Sequence, residues 1–279
     1  MARDERKGLW SPYKLSAAFN NLAPAFRMVD DIYYVGSRRA SSHLVTSDEG
    51  HVLIDTCFPE EGPFVLKGIL DLGFNPKDIR FILVTHAHVD CLGSAKLLAS
   101  QTGARIGMGK VDAMVAEKGS PAKMGLIRTP DTSQLYRVEF FKVDMPLEEG
   151  DVIELGDKRI NVCCTPGHTP GCCSFGFKIR HENNEYNVLL FGGSGQDVFE
   201  DRTGFGYPNY QGTPEDYKKT LDRLKSFQVD VWLGAQPNQN RTFEKLEFLQ
   251  KGVKPNPFID PEGWKAHLKS LEDGLRKFL

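Results

Sequence analysis

An apolar run that ends in a cluster of metal-ligand side chains limits the fold more than any other part of this sequence. The run is residues 81–84, Phe-Ile-Leu-Val, and the segment Thr85-His86-Ala87-His88-Val89-Asp90-Cys91 follows it directly. A buried strand that ends in this way can point His86, His88 and Asp90 into one cleft. Imidazole nitrogens suit zinc, and three of them leave a fourth position for water.

A third imidazole lies in a turn-rich segment after another apolar run. His168 is bounded by proline and glycine in Thr165-Pro166-Gly167-His168-Thr169-Pro170-Gly171. A single histidine is more often a core or surface residue than a ligand, and the chain has seven histidines. Two at a strand end and a third in such a loop are difficult to explain by packing, so the sequence predicts a metal site of His86, His88 and His168.

Strands are predicted in runs, with helices between and after them. Residues 32–35, 43–46 and 51–55 read as a β-meander. Two sheets with helices on their outer faces, an α+β architecture, fit this order best. The later strands are predicted near residues 80–85, 105–108, 138–142, 152–155, 159–164, 172–179, 187–192 and 229–233. The helices are predicted near 64–72, 94–100, 111–117, 214–227, 240–251 and 261–277. Residues 119–135 are either a candidate flap over the site or a solvated surface loop.

With the three histidines and Asp90 in this order, the sequence resembles the metallo-β-lactamase superfamily, whose fold is a four-layer αββα sandwich with metals at one edge of its sheets. Leu53-Ile54-Asp55-Thr56 resembles the first motif of the family, in which the aspartate supports the ligands. The resemblance covers about residues 20–279. It implies a single metallo-β-lactamase-like domain over residues 1–279, with residues 1–20 as an N-terminal extension.

More narrowly, the chain resembles the third subclass of metallo-β-lactamases and their non-lactamase relatives. The shared features are Tyr34-Val35-Gly36, Gly50-His51-Val52-Leu53-Ile54-Asp55, the segment around His168, Leu190-Phe191 leading to Ser194, and Asn256-Pro257-Phe258. The first metal of this family takes three histidines, which correspond to His86, His88 and His168. The second takes an aspartate, the histidine after it, and a histidine that follows a late strand.

The predicted second metal site is altered in this chain. Asp90 is present, but Cys91 and Gln236 stand where the family has histidines. Cys91 could be a thiolate ligand of a weakly bound second ion, with Gln236 completing the shell, or a reactive thiol. It could also be a neutral side chain at a site that has lost its metal. We therefore expect one zinc ion, with a second ion weak or absent and with iron as the alternative metal.

Several side chains are candidates for contact with water or substrate. Asp90 could act as a general base or orient a ligand imidazole. Ser194 resembles the serine that positions water or substrate in the subclass, although Gly192-Gly193-Ser194-Gly195 is also typical of a flexible turn. Tyr207, with Phe205 and Tyr210, could line the pocket or only anchor the loop, and the Gln236 amide could contact substrate.

Composition and charge exclude several classes of function. The net charge of −2 gives no basic field for nucleic acid or an anionic membrane. No run is long enough to span a bilayer and no export signal is visible, so we expect a cytoplasmic protein that acts on a small molecule.

The leading interpretation is a metal-dependent hydrolase of an amide, lactam, lactone, ester or thioester, which uses hydroxide on zinc held by three histidines. One alternative is a non-hydrolytic metalloenzyme on the same fold, such as an iron-dependent oxygenase, a lyase or a dehalogenase. The other is a catalytically weak relative in which four protein ligands close the site around a structural metal.

Overall fold

The structure is a computed structural model that describes residues 19–118, 127–128, 135–136, 138–199 and 212–279. Tyr207, Phe205 and Tyr210, together with most of the candidate flap, lie outside the described residues. The strands are β1 (Phe26–Val29), β2 (Ile32–Tyr34), β3 (His43–Ser47), β4 (Gly50–Ile54), β5 (Ile79–Val84), β6 (Arg105–Gly109), β7 (Ile127–Arg128), β8 (Leu135–Tyr136), β9 (Met145–Leu147), β10 (Val152–Leu155), β11 (Lys158–Cys164), β12 (Cys173–His181), β13 (Asn184–Phe191) and β14 (Val231–Gly234). The helices are α1 (Gly62–Asp71), α2 (Val89–Leu92), α3 (Ala95–Thr102), α4 (Lys110–Lys118), α5 (Pro214–Leu224), α6 (Thr242–Gln250) and α7 (Pro261–Leu275).

Twelve of these strands form two sheets. The first sheet has the order β1-β2-β3-β4-β5-β6-β9, and the second has the order β10-β11-β12-β13-β14. Strands β1 to β4 pair antiparallel, whereas β4, β5, β6 and β9 pair parallel. In the second sheet, β13 and β14 form the parallel pair. Parallel neighbours end at the same edge of a sheet, so the loops after β4 and β5 lie side by side, as do those after β13 and β14.

Alternating apolar residues divide the interior into three layers. Along β5, Ile82 and Val84 pack with helices α1, α3 and α4, whereas Leu83 faces the second sheet. Along β13, Leu190 faces the first sheet and Leu189 packs against α5 and α7. Because side chains alternate between the two faces of a strand, each sheet has one face on the other sheet and one on helices. This is the predicted αββα sandwich.

The predicted strand at residues 138–142 is wrong. Phe141 lies in the core, whereas its neighbour Phe140 is 37% exposed. The backbone N–H of Phe141 donates to the carbonyl of Ala116, and that of Val143 donates to the Glu117 carboxylate. The segment is therefore held by the end of α4, and the strand that extends the first sheet is β9 instead. Strand β1 also pairs with β2, although no strand was predicted there.

Within the described ranges, no helix is both long and apolar enough to cross a membrane.

Candidate metal centre

The candidate centre lies where strand ends of both sheets meet. His86 and His88 follow β5, and His168 lies in the turn between β11 and β12. Asp55 follows β4, and the second sheet contributes the loops after β13 and β14, which carry Ser194 and Gln236. Each of these residues therefore lies in a loop next to a regular strand, and the strand fixes the position of the adjoining backbone.

Three ring nitrogens of the predicted ligands form a nearly equilateral triangle. His86 Nε2 lies 3.1 Å from His88 Nδ1. His168 Nε2 lies 3.2 Å from His86 Nε2 and 3.0 Å from His88 Nδ1. The three side chains are buried, with exposed fractions of 3%, 8% and 8% in sequence order. The structure thus brings together the three histidines that the sequence predicted as ligands.

Hydrogen bonds at the opposite ring nitrogens orient two of these imidazoles. Thr85 Oγ1 donates to Asp55 Oδ2 at 2.9 Å and lies 2.9 Å from His86 Nδ1, so it accepts the Nδ1 proton. His168 Nδ1 donates to the carbonyl oxygen of Gly195 at 2.7 Å. With their protons on Nδ1, both rings direct an Nε2 lone pair at the centre of the triangle. Carbonyl and carboxylate partners of this kind are typical behind metal-bound histidines.

The electrostatics of the cluster also fit a bound cation. Burial, and then the neighbouring imidazoles, lower the pKa values of His86 and His88 well below the usual range, so these rings are neutral. Lone pairs on His86 Nε2 and His168 Nε2 that face each other at 3.2 Å repel unless a cation lies between them. Zinc binds imidazole nitrogens at about 2.0–2.1 Å, and nitrogens 3.0–3.2 Å apart are close enough for His86, His88 and His168 to share one such ion.

Asp90, Cys91 and Gln236 lie beside this triangle. Ligand atoms of His86, Asp90 and Cys91 lie within 4.8 Å of one another, and Cys91 Sγ is 3.8 Å from His86 Nε2. Gln236 Nε2 donates to Asp90 Oδ2 at 3.1 Å. Cys91 is fully buried, and burial followed by the charges of Asp55 and Asp90 raises the pKa of its thiol well above the usual value. The positions assigned to the second site thus adjoin one another.

Asp55 lies behind the ligands, as the first motif implied. Burial raises the pKa of its carboxyl group to about 8, and the hydrogen bonds from the Thr85 backbone and hydroxyl oppose that shift. The backbone of Asp55 adopts a φ of 59°, in the left-handed region, directly after β4. Aspartate tolerates this conformation better than most residues, which turns its side chain toward Thr85.

Sequence reasoning missed Asp112, which connects the two ligand loops. This fully buried carboxylate, on α4, accepts from the backbone N–H of Ala87 at 2.6 Å and from the Thr169 hydroxyl at 2.8 Å. Ala87 lies between two ligands and Thr169 follows the third. A Cβ on Gly171 would lie 2.2 Å from Asp112 Oδ1, so the close approach requires glycine there. The only sequence signal was an acidic residue within an otherwise amphipathic helix.

Ser194 has a partner that sequence reasoning also missed. Its Oγ lies 2.9 Å from Nε2 of His267, which is on α7 and comes 73 residues later. Ser194 is 8% exposed, and its backbone carbonyl accepts from the Tyr217 hydroxyl at 3.2 Å. Ser194 is therefore a fixed part of the wall beside His168, rather than only a flexible turn.

Comparisons with known proteins agree with this fold. The sequence model described as the metallo-beta-lactamase superfamily matches residues 35–231. The structure superimposes with a TM-score of 0.80 on BJP-1, a subclass B3 metallo-beta-lactamase of Bradyrhizobium japonicum. The two sequences are 29% identical, and the match covers 94% of this chain and 96% of that one.

Curated relatives include hydrolases of two kinds. The chain is 29% identical over 180 residues to a hydroxyacylglutathione hydrolase of Ectopseudomonas mendocina. This match covers 64% of this chain and 52% of that protein. It is 25% identical over 226 residues to the human acyl-coenzyme A thioesterase MBLAC2. This match covers 74% of this chain and 75% of the human protein. The chain spans between 31% and 52% of the length of the first four curated relatives.

Proposed function

The chain belongs to the metallo-beta-lactamase superfamily, and on that premise we propose that it hydrolyses a small-molecule amide, lactam, lactone, ester or thioester at the three-histidine centre. The observation that carries the proposal is the triangle of ring nitrogens, 3.0–3.2 Å apart, with two of the rings oriented from behind. Its relatives include a subclass B3 lactamase and two thioester hydrolases, so acyl groups with different leaving atoms are the substrates to test.

Each residue of the centre has a proposed role. His86, His88 and His168 would hold zinc, which supplies Lewis acidity and lowers the pKa of a bound water to about 7. Asp90, half-buried beside His86, would accept a proton during hydrolysis, and Gln236 would hold the Asp90 carboxylate through the bond at 3.1 Å.

We also propose that a second metal is bound weakly or not at all. An amide replaces one expected imidazole, and the Cys91 thiol is protonated unless a cation displaces its proton.

The three-histidine centre nevertheless stays open for catalysis. Among the described residues, Cys91 and Asp90 group with His86 but not with His88 and His168, so neither completes a four-ligand structural shell.

The single-domain organisation over residues 1–279, with residues 1–20 as an extension, belongs to the same proposal. This organisation is supported by the three apolar layers, which contain residues from both ends of the described chain. Phe26 packs between the sheets, and Leu275 packs on the outer face of the second sheet.

The test is metal analysis of the purified protein, together with assays on a chromogenic cephalosporin, a lactone, an aryl ester and an acyl thioester. We expect about one zinc per chain and hydrolysis of at least one of these substrates. His86→Ala and His168→Ala should abolish both tight metal binding and turnover, and the matched control His181→Ala, at the far end of β12, should alter neither. Iron as the native metal with oxygen uptake, or full metal content with no hydrolysis, would contradict the proposal.

A further inference from the structure

A histidine on the last helix contacts the loop that supports a predicted metal ligand. His267 Nε2 lies 2.9 Å from Ser194 Oγ. The carbonyl of the next residue, Gly195, accepts the Nδ1 proton of His168 at 2.7 Å. The contact between His267 and Ser194, the backbone from Ser194 to Gly195, and the hydrogen bond from His168 to Gly195 therefore form a continuous link. This link connects α7 to the metal centre.

The position of His267 is fixed by packing on two sides. Its ring stacks on Trp232 of β14, with ring centroids 4.4 Å apart and planes 22° from parallel. The helix itself is anchored by a row of buried apolar side chains, Trp264, Leu268, Leu271 and Leu275. Burial lowers the pKa of His267 to about 4, so at neutral pH the ring is uncharged and keeps one donor and one acceptor nitrogen.

The same loop is attached to the helices at two more points. Gln196 Nε2 donates to the Leu271 carbonyl at 2.5 Å, and the Tyr217 hydroxyl donates to the Ser194 carbonyl at 3.2 Å. Between these attachments lies Gly195, which has no side chain of its own to hold its carbonyl in place. The direction of that carbonyl therefore depends on how its two neighbours are held.

We propose that His267 is a positioning residue for the metal centre: by holding Ser194, it fixes the Gly195 carbonyl against His168 and keeps that imidazole in its ligating orientation. The inference rests on the proposed function, since it assumes that His168 binds the metal. Partners behind metal-bound histidines typically contribute a factor of 10 to 100 in metal affinity. Because His267 acts through an intermediate residue, we expect the lower end of that range.

The experiment measures Zn²⁺ affinity by competition with a chromophoric chelator, and the visible spectrum of the Co²⁺-loaded protein. His267→Phe keeps an aromatic ring against Trp232 but removes the contact with Ser194, and Ser194→Ala removes the same contact without touching the packing of α7. Each should weaken Zn²⁺ binding by about tenfold and shift the Co²⁺ absorption bands. The double variant should be no weaker than either single variant, because both delete one interaction.

A conservative variant and a control separate positioning from general stability. His267→Gln retains an amide that can bond to Ser194 and should recover part of the lost affinity, whereas His181→Phe should leave affinity and spectrum unchanged. Unchanged Zn²⁺ affinity in Ser194→Ala and His267→Phe, or fully additive losses in the double variant, would overturn the inference. If His267→Phe fails to fold, Ser194→Ala and His267→Gln still decide it. A wild-type protein that binds no Zn²⁺ would instead refute the proposed function.

Discussion

At the scale of single residues, the orientation of a ligand depends on the hydroxyl beside it. Thr85 donates to Asp55 and so leaves its own oxygen lone pairs for the Nδ1 proton of His86. A carboxylate alone would have to reach the imidazole directly. The Thr85 hydroxyl therefore connects the buried Asp55 carboxyl group to the imidazole of His86.

Thr85→Val tests this relay, because it replaces the hydroxyl with a methyl group of similar size. We expect Zn²⁺ affinity to fall by about tenfold, since His86 loses the acceptor that fixes its tautomer. Chelator competition at neutral pH measures the change. Thr102→Val, which removes a buried hydroxyl bonded to the Leu98 carbonyl on α3, is the matched control and should leave affinity unaltered. Equal affinity in the two variants would exclude a role for the Thr85 hydroxyl.

Substitutions at two other residues test the proposal that a second metal is bound weakly or not at all. Cys91→His combined with Gln236→His introduces the two imidazoles that the resemblance predicts for a second metal site, and both positions adjoin Asp90. We expect bound metal to rise from about one toward two per chain, with faster hydrolysis of a chromogenic β-lactam, because imidazole is a better zinc ligand than an amide. Elemental analysis measures the stoichiometry, with the two single variants as controls. An unchanged metal count would show that these positions do not form a second site.

At the scale of secondary-structure elements, α4 holds the two ligand loops together. Asp112 accepts from Ala87 N–H and from the Thr169 hydroxyl, so one carboxylate spans loops that are separated by about eighty residues of chain. Gly167 permits a different close contact, between the His168 loop and α5. Its φ is 135°, and a Cβ there would lie 2.5 Å from that of Tyr217 on α5, so only glycine lets the His168 loop pass this closely.

Asp112→Ala should therefore affect stability and metal binding together. It leaves buried donors on both loops without their acceptor, which we expect to cost on the order of 2–4 kcal/mol of unfolding free energy and to weaken Zn²⁺ binding. Asp144→Ala is the control, because this exposed carboxylate accepts from a single backbone group, Ile106 N–H, away from the ligand loops. Urea denaturation of the metal-free proteins and chelator competition measure the two effects. Loss of stability in Asp112→Ala without loss of metal affinity would limit its role to folding.

The elements also show what the sequence could predict. His86, His88 and Asp90 were recognisable because they lie within the six residues that follow one strand, and local spacing is visible in a sequence. His267 and Asp112 were not, because each reaches the centre from a helix whose rotation depends on tertiary packing. The segment at 138–142 was predicted as a strand, yet the backbone N–H of Phe141 donates to Ala116 of α4, since a short apolar segment does not specify which partner accepts its hydrogen bonds.

At the scale of the whole molecule, the sandwich buries titratable groups that have no part in the centre. His43 on β3 is fully buried beside Tyr34, with ring centroids 5.6 Å apart, and neither ring nitrogen has a hydrogen-bond partner among the described residues. Burial lowers the pKa of this imidazole from 6.5 to about 3. The folded protein therefore keeps His43 neutral at pH values where the unfolded chain protonates it.

This difference makes global stability depend on pH in a defined direction. Between about pH 6.5 and pH 3 the unfolded state binds the proton on His43 and the folded state does not, so the unfolding free energy falls as the pH falls, by up to about 1.4 kcal/mol per pH unit. Above pH 6.5 the imidazole is neutral in both states and contributes no slope.

His43→Phe should remove this contribution, so that the variant gains stability over the wild type progressively as the solution is acidified from pH 6.5. Tyr34→Phe, which deletes a neighbouring hydroxyl that does not titrate in this window, should shift the whole curve by a constant amount. Urea denaturation of the metal-free proteins at intervals from pH 4 to pH 7.5 measures the three curves, and parallel curves for His43→Phe and the wild type would show that His43 is not buried in its neutral form.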